Sequence, residues 1–233
     1  MKILKVLAHL LDYPNEQVQQ HSHELRLEID SSQELPPQMR SKLTVAVESI
    51  FDKELMESQE SYGLLFDQGR SLSLHLFEHV HGESRDRGQA MVDLMNVYSE
   101  HGFDLDALEL PDYLPLFLEY LSNRPNMEAR EWLADVAHII AILCARLYER
   151  EPNYGVMMES LLIIAGQQSL LNEMRDKVDQ EKPDNTPEAL DKEWEETAVT
   201  FGSPDNECNQ SNNPQRVSEQ PLKWVDAAAS QTF

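Results

Sequence analysis

Apolar residues recur at helical spacing along most of this chain, and that periodicity excludes most folds. Trp132, Val136, Ile139, Ile140, Leu143 and Leu147 follow steps of three and four, which place them on one helix face. This is the longest such face, and it ends near Pro152. Ile3, Leu4, Leu7, Leu10 and Leu11 form another, closed by the turn Asp12-Tyr13-Pro14-Asn15. Leu43, Val47, Ile50, Phe51 and Leu55 mark a helix after the Pro36-Pro37 break. Met91, Leu94, Met95 and Tyr98 mark one that ends at His101-Gly102. Leu114, Phe117, Leu118 and Leu121 make the next, with Pro115 in its first turn, where a missing N–H costs little. A last stripe follows Pro152 through Met157, Leu161 and Ile164.

One segment is ambiguous. Glu16 to about Asp30 reads as a polar helix, although Leu25, Leu27 and Ile29 alternate as a strand would. A lone strand has no partner here, and only eight glycines punctuate 233 residues. The expectation is an all-α, single-domain bundle of about seven to nine helices, because one-sided stripes must bury one another. It covers residues 1–200. Asp184-Asn185-Thr186-Pro187-Glu188 reads as a capped helix start, with Leu190, Trp194 and Ala198 on one face. From Gly202 the chain is rich in Asn, Gln, Ser and Pro and carries no stripe, so 201–233 is expected to be a disordered polar tail.

The formal charge is −23, and it is spread: 13 basic and 28 acidic side chains up to residue 170, 6 and 14 beyond. A field of that sign repels nucleic-acid phosphates and anionic lipid and attracts basic peptides; solubility alone is the plain alternative. Cys144 and Cys208 give no disulfide framework, and Cys144 lies within an apolar helical run. Lys5 and His9 interrupt the apolar start, no small-residue cleavage site follows, and no segment reaches membrane-span length. A cytoplasmic protein without membrane insertion is expected.

The densest chemistry lies in LFEHVHGESRDRGQAMVDL, Leu76 to Leu94, with Gly82 expected to break the helix. His75-Leu76-Phe77-Glu78-His79 matches H-x-x-E-H, an inverted zinc-protease pattern. On a helix, His75 and His79 would share a face, Glu78 would be the general base, and Glu149 or Glu151 a distant ligand. The match is short and built from common residue types. The plain alternative is histidines packed at a helix surface or bonded to carboxylates. No nucleophile triad, P-loop or dinucleotide glycine pattern is present, so no enzyme is visible.

YGLLFDQGRSLSLHLFEHVHGESRDRGQAMVDL, Tyr62 to Leu94, closely resembles the NarJ family, assembly chaperones of respiratory nitrate reductase related to the TorD-like group. ELPDYLPLFLEYL (Glu109 to Leu121), the LDYP turn and DNTPEALDKEWEET (Asp184 to Thr197) resemble the same family, so the likeness reaches about residue 200. It implies an all-helical, cytoplasmic, non-enzymatic chaperone. Its partner would be the basic amino-terminal peptide of the reductase's catalytic alpha subunit, alone or within the alpha-beta complex. That subunit would be held open until its molybdenum cofactor is inserted, before membrane docking. The chaperone would bind no cofactor tightly itself. His75 departs from the family, where leucine is usual. Tyr113 stands where many TorD-like chaperones carry histidine, so no role of that imidazole transfers.

Candidate contacts to the client follow. Glu78, Glu83 and Asp86 are placed to meet basic residues; equally, they pair with Arg85, Arg87 or Arg70. His79 packs or caps more readily than it binds. Tyr62, Phe66 and Phe77 belong to the core unless a ring is exposed as an anchor. Asp112, Tyr113 and Glu119 share the second signature, although Asp112 also suits a helix N-cap. Arg85 and Arg87 would alternatively meet phosphates of a pterin nucleotide if the chaperone carried the molybdenum cofactor.

Overall fold

The computed structural model describes residues 1–81, 86–105 and 109–181, together with 186, 188 and 191. The expected break at Gly82, the capped start near Pro187, and the tail from 201 lie outside them. Among the described residues there are twelve α-helices and no strand. They are α1 (Lys2–Leu11), α2 (Glu16–Gln20), α3 (Ser22–Ser31), α4 (Pro37–Phe51), α5 (Leu55–Phe66), α6 (Leu76–His81), α7 (Asp86–Glu100), α8 (Leu114–Ser122), α9 (Asn126–Asp135), α10 (Ala137–Arg150), α11 (Pro152–Ala165) and α12 (Ser169–Val178).

The all-α expectation holds, but the helices are more numerous and shorter than the stripes suggest. Periodicity survives a one-residue corner, so a bent helix pair reads as one stripe. The 132–147 face is such a pair, turned at Val136 (φ −97°, ψ 5°). Trp132 belongs to α9, edge-on to Phe117 and Tyr120 of α8, while Ile139 to Leu147 belong to α10. Likewise the polar helix after Asn15 breaks at His21 into α2 and α3, and Leu55 opens α5 rather than closing α4. Within α3, Ile29 is fully buried and Leu27 is exposed, a one-sided helix rather than an alternating strand.

The core is built around two elements. α10 and α11 form a close antiparallel pair joined at Glu151, with α4 packed on α11 and α12 on α10. Pro152 opens α11 at no hydrogen-bond cost. Gly166 closes it at φ +71°, where the Gln167 N–H reaches Leu162 O at 2.9 Å and the Gly166 N–H reaches Ile163 O. α1 lies against α8 and buries Ile3, Leu4, Leu7, Leu10 and Leu11. Each buried leucine or isoleucine contributes about 1.5–3 kcal/mol, so this stripe pins the chain start to the bundle.

α7 is the least covered long helix. Of its fifteen residues only Leu94 and Tyr98 are buried; Val92 and Met95 are exposed.

Candidate functional site

The two polar signatures meet through backbone first. The Leu76 N–H donates to Asp112 O (3.0 Å) and the Leu114 N–H to Leu74 O (2.8 Å), an isolated antiparallel bridge centred on His75 and Tyr113. The bridge sets Asp112 at the start of α6, where short-helix donors lack partners. Its carboxylate is wholly buried, and Oδ2 accepts the Phe77 N–H at 3.0 Å. Asp112 is therefore a helix cap, but of α6 and not of its own α8, which begins after Tyr113 with no side-chain cap.

Charge gathers around that carboxylate. His75 Nδ1 lies 3.3 Å from Asp112 Oδ1. Arg87, from the first turn of α7, reaches Glu78 Oε1 at 3.1 Å and stands 3.8 Å from Asp112 Oδ2. Glu78 is thus paired internally, with an arginine the sequence had offered it. His79 Nε2 donates to Ser73 O at 2.8 Å; a carbonyl only accepts, so the neutral ring carries its proton on Nε2. Burial holds the His79 pKa below its ordinary value, and the charge of Arg146 adds to this. The bond to Ser73 and the charges of Glu78 and Asp112 act in the opposite sense.

A second network adjoins the first. The Tyr113 hydroxyl donates to Asp12 Oδ1 (3.0 Å), and the Tyr62 hydroxyl donates to Leu11 O (2.9 Å), 3.1 Å from that of Tyr113. Tyr62 and Phe66 are buried, stacked edge-on with Tyr154 in an aromatic cluster behind these hydroxyls. Burial raises the pKa of both tyrosines well above the usual range, so both stay neutral hydrogen-bonding groups. The LDYP turn, α5 and the Asp112-Tyr113 segment are joined at one spot.

Tyr62, Phe66, Phe77, Glu78, His79, Arg87, Asp112 and Tyr113 are thus gathered together. Phe77 is half-buried, edge-on to His81. Asp86 is exposed at the start of α7. Glu119 is half-buried on α8, and its carboxylate takes no hydrogen bond or ion pair among the described residues. Glu83 and Arg85 lie outside the described residues. Sequence reasoning missed Asp12 as a site residue, having used it only as a turn former; its place in the LDYP likeness was the available signal. It also missed Arg146, which donates to Ser71 O (2.8 Å) and forks onto Glu181.

The zinc arrangement is not the one found. His75 stands in the bridge, before α6 begins, so it and His79 do not share a helix face. Both rings turn toward Asp112 and Ser73 instead. Among the described residues no three metal-ligating side chains converge, and no helix is long and apolar enough to cross a membrane.

Residues 32–154, more than half of the chain, match the family described as nitrate reductase delta subunit. The chain belongs to that family. This delta-subunit relative is 44% identical over 208 residues to the nitrate reductase molybdenum cofactor assembly chaperone NarJ of Escherichia coli strain K12. The match covers 89% of this chain and 88% of that one. It is 42% identical over 201 residues to the probable assembly chaperone NarW of the same strain, covering 86% and 84%. The probable NarJ of Bacillus subtilis strain 168 is 30% identical over 157 residues, covering 67% and 84%. The residues that match the family include both signatures and α6, α7 and α8, which carry them.

Proposed function

We propose that this chain is an assembly chaperone that grips the amino-terminal segment of a respiratory nitrate reductase's catalytic alpha subunit. It holds that subunit, alone or in its alpha-beta complex, ready for molybdenum cofactor insertion before membrane docking. It acts in the cytoplasm, catalyses no reaction and binds no cofactor tightly itself. The observation that carries this reading is the 44% identity to NarJ over 89% of the chain, with both signatures inside the residues that match the family.

The physical chemistry is compatible. An acidic helical surface suits a basic amphipathic segment, with apolar contacts giving affinity and carboxylates giving orientation and encounter rate. Phe77, with the exposed Val80 beside it on α6, offers apolar contact, and Asp86 offers charge. Calorimetry with a peptide of the alpha subunit's amino terminus should show saturable binding. Affinity should fall with added salt, because exposed charges are screened within about 8 Å at physiological ionic strength. Folded protein that fails to bind at low salt would overturn the reading.

A further inference from the structure

A cavity of about 420 Å³ opens at the α1–α2 corner, beside the Asp12 network, and no residue of α6 or α7 lines it. We propose that it receives one basic side chain, lysine or arginine, of the client's amino-terminal segment. This inference rests on the chaperone reading above and adds the place and chemistry of one contact.

Three features of the cavity select that occupant. The first is Asp12. Its Oδ1 accepts both the Tyr13 N–H (2.8 Å) and the Tyr113 hydroxyl (3.0 Å). Its Oδ2 takes no hydrogen bond from any described residue. A carboxylate can accept on both oxygens, so Asp12 is held in orientation by one while the other stays available to a donor. The second is the wall. Val18, buried, and Leu25, half-buried, supply an apolar surface against which methylene groups of a long cationic side chain can lie.

The third is the polar rim, formed by Asn15, Gln17, His9 and His21. Asn15 caps α2 through Oδ1, and the His21 ring donates through Nδ1 to Gln17 O, so both are fixed by the local turn. The rim carries no carboxylate-binding lysine or arginine, and Asp12 repels an anion. No three metal-ligating groups converge there among the described residues. The surrounding charge of −23 draws in a cationic segment.

The test is calorimetry at low salt on the full chain. The probe is the alpha subunit's amino-terminal peptide, with a series in which each lysine is replaced by norleucine and each arginine by citrulline. Asp12→Asn keeps an acceptor for Tyr13 and Tyr113 and turns the open oxygen into a donor. Gln17→Trp fills the mouth from an exposed position. Each variant should weaken binding about tenfold, the size of one charge-assisted hydrogen bond. One replaced peptide should be weakened equally and lose nothing further to Asp12→Asn. Melting curves confirm that both variants are folded. Unchanged affinity in both variants overturns the inference and leaves the chaperone reading standing; no binding of the unaltered peptide removes both.

Discussion

Asp112 caps a helix thirty-five positions away from it in the chain, its Oδ2 3.0 Å from the Phe77 N–H. The same buried carboxylate faces His75 and Arg87, so three groups meet at one charge. Asp112→Ala would leave the Phe77 N–H without its acceptor and His75 without its carboxylate, while Arg87 keeps Glu78; an unpaired buried donor costs about 1–3 kcal/mol. Asp112→Asn keeps an acceptor for Phe77 and should cost about half as much. Urea unfolding of the two variants measures the difference; equal and small losses would show that the cap is dispensable.

The tyrosine pair makes a finer prediction. Tyr62→Phe leaves Leu11 O, at the end of α1, without its donor, whereas Tyr113→Phe leaves Asp12 still bonded to the Tyr13 N–H. Leaving a buried acceptor unpaired costs about 1–3 kcal/mol, against about 1 kcal/mol for an ordinary hydrogen bond. Tyr62→Phe should therefore be the more destabilising. The double variant should lose less than the sum, because the two hydroxyls lie 3.1 Å apart. Thermal denaturation of the three proteins decides it.

These relationships mark where the sequence was readable and where it was not. The apolar stripes dictated helices, and α1, α4, α8 and α11 appear where Leu7, Leu43, Phe117 and Leu161 required them. The corners at His21 and Val136 were invisible, because a one-residue turn leaves a 3.6-residue pattern nearly in phase. Family likeness marked both polar signatures, and it is the fold that brings them together. The Asp112–Phe77 and Asp12–Tyr113 bonds span 35 and 101 positions, distances over which no local spacing rule applies. Pairing of Glu78 with Arg87 was one of several equivalent choices until α6 and α7 were placed.

His79 gives a pH prediction. Its folded pKa lies below the ordinary value near 6.5, mainly through burial. Above pH 6.5 the ring is neutral both folded and unfolded, and its contribution to stability is fully present. As pH falls below 6.5 the unfolded chain takes up the proton first, so stability falls until the folded pKa is passed. His79→Gln can keep a donor for Ser73 O but does not titrate. Urea midpoints between pH 7.5 and 5 should drop less in the variant than in the parent; parallel curves would refute the assignment.

The close packing of α10 on α11 sets the last expectation. A Cβ on Gly155 would lie 3.0 Å from Tyr148 Cγ and 3.2 Å from the Tyr148 backbone nitrogen. Rotating the ring relieves neither contact, since Cγ lies on the rotation axis and the nitrogen is backbone. Tyr148 is further held by its hydroxyl, which donates to Glu159 Oε2 on α11. Overpacking of this kind costs about 1–3 kcal/mol, and the better helix propensity of alanine returns about 1 kcal/mol. Gly155→Ala should therefore be net destabilising. Gly63→Ala on α5 is the control: its nearest neighbour would be Asp67 Oδ2 at 3.5 Å, an ordinary contact, so propensity alone should act and the variant should gain stability. Opposite shifts in melting temperature identify the α10–α11 contact as rigid, and a stabilised Gly155→Ala would show that the two helices can separate.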